Sequence, residues 1–349
     1  MTRASAPAAG RVEPALPEAA GPVSAAVIAM LTEDSSASAD VPVRDCDPYG
    51  LDLQMALYIC YELHYRGFAG VDERREWDLR LLGLRAQLED VFIGAVSDEV
   101  GEIEADATAV SEMDALSIEP LDGEGPSYYL RDDGTWEQMR EYFVHRSLYH
   151  LKEADPQAWV IARLDGPAKA ALVTVEHDEY GAGDPDRMHA RLFADMMIAL
   201  DLSPAYGHYL DAAPAATLAE VNFMSLCGLH RRLRGALVGQ FATVELTSSP
   251  GSDRLVRGMR RLGCSEQAIA FYDEHVEADA VHEQVVRRGV VAPLLAAEPR
   301  LAADVVFGIR GSVLLGDRFG DQLLGAWTRG LPTLRRPLPD APVLVGSGR

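Results

Sequence analysis

The chain has 349 residues, 48% of them apolar and 25% charged, and carries a net charge of −22. A chain of this length buries a sizeable core without disulfide or structural-metal staples, so any bound metal is expected to serve function rather than folding. The acidic excess argues against nucleic acid, anionic membranes and polyanionic ligands as partners, because phosphate binding needs a concentrated basic surface. Four widely spaced cysteines, Cys46, Cys60, Cys227 and Cys264, show no metal-ligand spacing and fit a reducing cytosol. No apolar run is long enough to span a bilayer, and no apolar segment accompanies Arg3 and Arg11 as a secretory signal would require. A cytoplasmic protein that acts on a small molecule is expected.

Residues 1–45 are rich in Ala, Pro, Ser and acid, and read as a disordered segment with one brief helix at the apolar patch Val23 to Leu31. Asp47-Pro48 is a helix-start signal, and Leu51, Met55, Leu57, Tyr58, Tyr61 and Leu63 form a broad apolar face behind it. A second helix is predicted over about Trp77 to Val96, followed by an acidic connection to about Gly134, which makes 46–132 a helical N-terminal region. Thr135 and Gln138 form a capping-box start. From there to about residue 330 nearly everything reads as helix, with turn chemistry at Asp155-Pro156, Gly181 to Pro185, Ser203-Pro204, Ala213-Pro214, Ser249-Pro250-Gly251 and Gly263. Residues 331–349, with Pro332, Pro337, Pro339 and Pro342, read as an extended tail. Few segments alternate at period two, so the fold class is all-α.

The chemistry-bearing signal with the clearest spacing is His275-x3-Asp279-x2-His282. Positions i, i+4 and i+7 return to one helical face, so two imidazoles and a carboxylate project together. Two nitrogen ligands and one hard oxygen suit Fe(II) or Mn(II), and zinc can also accept them. Glu274, Glu277 and Glu283 make this stretch acidic anyway, so a plain polar helix face is the competing reading. Further back, Glu153 ends an aromatic-rich helix, Glu179 closes an apolar stretch, and His189 sits in the next helix. Glu245 lies in a long apolar helix between Phe241, Ala242, Val244 and Leu246. A carboxylate among apolar neighbours is costly unless it is paired or coordinates metal. Glu176, one turn before Glu179, is the substitute should Glu179 be the wrong carboxylate. His150, three residues before Glu153, is read mainly as packing, although it could orient that carboxylate.

Taken in order, Glu153, Glu179, His189, Glu245 and His275-x3-Asp279-x2-His282 resemble the ligand set of the haem-oxygenase-like diiron oxidases and oxygenases. The intervals are similar above all to the central domain of the streptozotocin-pathway N-oxygenases. Tyr149 to Asp155 and Gly228 to Leu233 resemble stretches of actinobacterial iron-containing redox enzymes. The resemblance covers about Thr135 to Trp327. It implies a haem-oxygenase-like bundle of about seven core helices over 133–330, preceded by extra N-terminal helices that dimerise in the N-oxygenase. It also implies two Fe(II)/Fe(III) ions, dioxygen as cosubstrate and an external electron donor. Glu153, His189, Glu245, His275, Asp279 and His282 would be the core ligands, with Glu245 as the bridge and Glu179 as an additional carboxylate found in some members. The resemblance further implies oxidation or N-oxygenation of an amino acid or similar small carboxylate in specialised metabolism. The alternatives are an aliphatic desaturase or C–C lyase with the same irons, or a metal-free thiaminase-like protein or binding module.

Two other helical scaffolds fit less well. Ferritin-like sites need Glu three residues before a ligand His, and none of the nine histidines here has one. Haem would need His145 or His150 as axial ligand and would leave Glu245, Asp279 and His282 unexplained. Arg234 and Arg310 are the candidate substrate-binding residues. Arg310 sits in an apolar helix and must meet a carboxylate, which is Asp304, Asp317 or that of the substrate.

Overall fold

Helices supply all the regular structure of the computed structural model, which describes residues 13–32, 41, 43–104, 106–120 and 122–338; no strand occurs among them. The N-terminal part contributes α1 (Pro22–Thr32), α2 (Leu51–Glu62), α3 (Leu79–Val100), α4 (Ala109–Leu116) and α5 (Pro126–Asp132). The remainder contributes α6 (Trp136–His150), α7 (Asp155–Ala158), α8 (Gly166–Glu179), α9 (His189–Ala199) and α10 (Ala215–Leu229). It ends with α11 (Arg234–Arg261), α12 (Glu266–Val285), α13 (Ala292–Ala297) and α14 (Ala302–Trp327).

The brief helix expected near Val23 is α1, and it is docked rather than loose. Val23 and Val27 are fully buried. Asp52 of α2 accepts from the backbone N–H groups of Val23 at 2.9 Å and Ser24 at 2.7 Å, so it satisfies the exposed donors at the start of α1. Of the rest of the predicted disordered segment, residues 13–21, 41 and 43–45 are described, and 1–12, 33–40 and 42 lie outside the described residues. The acidic connection before Gly134 contains α4 and α5, which the apolar periodicity did not reveal. Their signals were local: Thr108 and Ser111 cap each other at the start of α4, and Pro126 occupies the first turn of α5.

The N-terminal region does not have a core of its own. Leu57 and Phe92 belong to the same apolar cluster as Leu218, Phe241 and Val305. Asn222 of α10 donates to the backbone oxygen of Gln54 at 2.8 Å, and Lys152 Nζ lies 3.2 Å from Glu62 Oε2 with both side chains buried. A second cluster gathers Phe143, Phe193, Phe271, Phe319 and Trp327 with Leu334 of the tail. Residues 331–338 are irregular and pack against the bundle, Thr333 accepting or donating at His145 Nε2 over 2.9 Å. The tail's remaining residues, 339–349, lie outside the described residues.

Two sequence boundaries moved. The helix expected across 218–246 breaks at His230 into α10 and α11, and α11 then runs straight through Pro250. Proline removes one intrahelical hydrogen bond, but α11 is held along its length by α12 and α14. Ser249 Oγ donates to Val276 O of α12 at 3.0 Å, beside the proline. Gly239 of α11 and Gly308 of α14 let the two backbones touch: a Cβ at either would overlap the facing carbonyl oxygen, of Val305 and Ala236 respectively. None of the described helices is long and apolar enough to cross a membrane.

Candidate metal centre

Five elements converge on one buried point. The side chain of Ser265 caps α12, whose inward face carries His275, Asp279 and His282 at the predicted spacing. Glu179 is the last residue of α8 and His189 the first of α9. The intervening turn brings them together through Gly181, whose φ of 72° and whose closeness to Met188 N, 2.6 Å from a built Cβ, both require glycine. Glu245 points in from α11. Glu153 lies in the turn after α6, which ends at His150, three residues earlier than the sequence suggested. None of these seven side-chain residues is more than 5% exposed.

They form two groups whose ligand atoms all lie within 4.8 Å of one another: Glu153, Glu179, His189 and His275, and Glu179, Glu245, Asp279 and His282. Glu179 is common to both groups and Glu245 belongs only to the second, whereas the resemblance gave the bridging role to Glu245. Glu179 Oε2 lies 2.6 Å from His189 Nδ1, and Glu179 Oε1 lies 3.6 Å from His282 Nδ1. His282 Nδ1 is also 3.2 Å from Glu245 Oε2 and 3.4 Å from Asp279 Oδ1. In the first group His275 Nε2 is 3.9 Å from Glu153 Oε2.

These atoms lie within ion-pair distance of one another, yet none is satisfied by a well-aligned hydrogen bond. Glu179 Oε2, His189 Nδ1, Glu245 Oε2, His275 Nε2 and His282 Nδ1 are buried and make no hydrogen bond. Buried polar atoms are nearly always satisfied, so five orphans aimed at one another are what a divalent cation between them would resolve. The far side of two of the three imidazoles is already committed. His275 Nδ1 lies 2.7 Å from Phe271 O, and His282 Nε2 lies 3.3 Å from Asp178 Oδ2, so the other nitrogen of each ring faces inward. His150 Nδ1 holds Glu153 Oε2 at 2.9 Å. The sequence reading favoured packing for His150 and did not consider Asp178, although its place next to Glu179 was a usable signal.

Electrostatics point the same way. Burial, reinforced by the neighbouring carboxylates, pushes Glu153 up to about 8 and Glu179 up to about 7, and drives Glu245 well above the usual carboxylate range. Burial would lower His282, yet Asp279, Glu245 and Glu179 raise it to about 11. So many buried acids cannot all ionise together unless a cation compensates them, and a bound divalent ion is the strongest compensating charge available. Glu176 stands apart: it is buried with both oxygens unpartnered, yet belongs to neither group.

A cavity of about 420 Å³ opens beside the first group, reaching His275, Phe271 and His150. Tyr142, Tyr149, Phe223 and Phe319 form an aromatic wall on part of it, and aliphatic and small polar side chains line the remainder. The two arginines expected at the substrate are elsewhere. Arg310 pairs with Glu112 at 2.7 Å and Glu104 at 3.1 Å, not with Asp304 or Asp317, and Arg234 pairs with Glu298. Neither lines the cavity. Periodicity could not have shown this, because Glu104 and Glu112 belong to the connection whose folding was not foreseen. Of the two histidines a haem would need, His145 uses both nitrogens on Thr217 and Thr333, at 2.8 and 2.9 Å, and His150 commits Nδ1 to Glu153.

A family model described as iron-containing redox enzyme matches residues 140–317, a span that contains all seven clustered side chains. No curated protein matches the chain.

Proposed function

The chain belongs to the iron-containing redox enzyme family, and from that premise we propose that it is a non-haem diiron oxidoreductase that uses dioxygen to oxidise an amino acid or similar small carboxylate. The helices form the all-α, haem-oxygenase-like bundle that this family implies. What carries the diiron reading is the pair of buried ligand groups sharing Glu179. One ion would be held by Glu153, His189 and His275 and the other by Glu245, Asp279 and His282, with Glu179 between them. The donor set of imidazole and carboxylate is that of iron and manganese rather than of a thiol-loving metal.

Iron bound there supplies the redox chemistry with dioxygen. The residues supply the rest. Phe271 O and Asp178 fix which nitrogen of His275 and His282 faces inward, and His150 steadies Glu153. The aromatic wall keeps bulk water from the reacting atoms and presents the substrate beside His275. N-oxygenation or C–H oxidation is the reaction proposed. The apolar character of the same wall favours, as second reading, desaturation or C–C cleavage of an aliphatic acid by the same site. Anaerobic titration with Fe(II) tests the proposal: two ions per chain are expected, and a stoichiometry of one or none overturns it.

A further inference from the structure

Four charged side chains line the cavity: Arg146, Glu220, Arg254 and Asp317. Arg254 is tied to Glu119 and to Ser127 at 2.9 Å, so its guanidinium is already committed to these two neighbours. It lies nine residues from Glu245 along α11, about 13 Å at the helical rise. Asp317 has no ion-pair partner among the described residues, and burial, with Asp321 nearby, raises its pKa. Arg146 and Glu220 differ from both. Arg146 is one turn before His150 on the same face of α6, about 6 Å along the axis from the residue that holds Glu153.

Arg146 is held rigidly. Nη1 donates to Glu220 Oε2 at 3.2 Å, Nε donates to the Tyr142 hydroxyl at 3.3 Å, and the guanidinium lies 4.5 Å from the centre of the Phe319 ring. Nη2 has no partner among the described residues, and the side chain keeps 26% of its surface open, as Glu220 keeps 14%. One helical turn from His150 the cavity therefore presents one fixed cation and one fixed anion side by side, next to Tyr142 and Phe319. A ligand carrying only a carboxylate would meet Arg146 but be repelled by Glu220. A ligand carrying only an amine would suffer the reverse. A ligand with both charges one carbon apart satisfies both.

We propose that the Arg146–Glu220 pair is the substrate-recognition element of the cavity, with Arg146 taking the α-carboxylate and Glu220 the α-ammonium of an amino acid whose apolar side chain lies along the aromatic wall. This rests on the oxidoreductase reading for the direction in which the substrate is presented, and sharpens it by naming the residues and requiring both charges. Arg146 and Glu220 are specificity determinants here, not metal ligands.

The test uses the full chain reconstituted anaerobically with Fe(II), with binding read by calorimetry. The probes are L-leucine, L-methionine, L-phenylalanine and L-tryptophan, each with its deaminated acid and its decarboxylated amine. At least one amino acid should bind, and its acid and amine counterparts should each bind at least tenfold more weakly. R146M can leave Glu220 buried and unpaired, so the decisive variant is R146M/E220L, which removes both charges together. It should keep its helical content and its iron while losing at least tenfold in probe affinity. Equal affinity for the acid or amine, unchanged affinity in the double variant, or no binding by any probe overturns the proposal. Iron content measured on the same samples separates the two readings. Two irons without amino-acid binding defeats only the recognition proposal, and amino-acid binding without iron defeats only the diiron reading.

Discussion

Glu179 Oε2 and His189 Nδ1 stand 2.6 Å apart across the turn between α8 and α9, while the other oxygen of Glu179 faces His282 at 3.6 Å. One carboxylate thus spans both ligand groups. It follows that Glu179→Ala should empty both metal positions, because each loses a donor and the anion between the two ions is gone. Glu245→Ala should spare the group of Glu153, His189 and His275 and lower the iron content from two to one. Metal analysis after anaerobic loading decides: two tightly held irons in Glu179→Ala, or none in Glu245→Ala, would return the bridging role to Glu245.

The Lys152–Glu62 pair ties α2 to the turn that carries Glu153. Burial lowers the pKa of Lys152, and the contact with Glu62 opposes that shift. The Tyr206 hydroxyl adds a hydrogen bond to Glu62 Oε2 at 2.7 Å. Removing the cation alone, in Lys152→Met, strands a buried carboxylate and should cost about 3–5 kcal/mol. Lys152→Met/Glu62→Leu should recover much of that loss. Urea unfolding of the metal-free chain measures both, and a loss below about 1 kcal/mol in the single variant would show that Glu62 is not electrostatically dependent on Lys152.

Arg310→Met provides a contrast. Its partners Glu112 and Glu104 lie on and before α4, and the pair with Glu104 is well exposed. Exposed pairs contribute little, so the melting temperature should fall by less than about 3 °C. Iron content and probe affinity should not change, since Arg310 does not reach the cavity. A tenfold loss of probe affinity in this variant would restore it as a substrate residue.

Local chemistry made the centre legible in the sequence more readily than its internal arrangement. His275, Asp279 and His282 could be placed together because helical periodicity alone puts them on one face. Glu245 stood out because a lone carboxylate among apolar residues needs a reason. That Glu179 rather than Glu245 lies between the groups depends on how α8 and α9 close around Gly181, a tertiary relationship that no spacing encodes. The Arg146–Glu220 pair was missed for a similar reason: 74 residues separate its members, and neither looks unusual alone. The folding of α4 and α5 escaped because short capped helices carry little apolar periodicity, and with them went the partners of Arg310.

Glu176 gives the last prediction, through pH. Burial, with Glu179 and Glu245 nearby, raises its pKa to about 9 in the metal-free fold, against 4.5 as the reference for an open chain. Between these values the folded chain keeps a proton that the unfolded chain has released. Folding stability then falls as pH rises through that window. Glu176→Gln is neutral throughout and removes this dependence. The variant and the parent should be equally stable below about pH 4.5, and above it the variant should gain up to about 1.4 kcal/mol per pH unit until about pH 9. Urea midpoints for both chains across this range measure the gap, and a gap that does not change with pH would mean that Glu176 ionises normally. Loading with Fe(II) should flatten the slope, because cations held by Glu179 and Glu245 offset the charges that help keep Glu176 protonated.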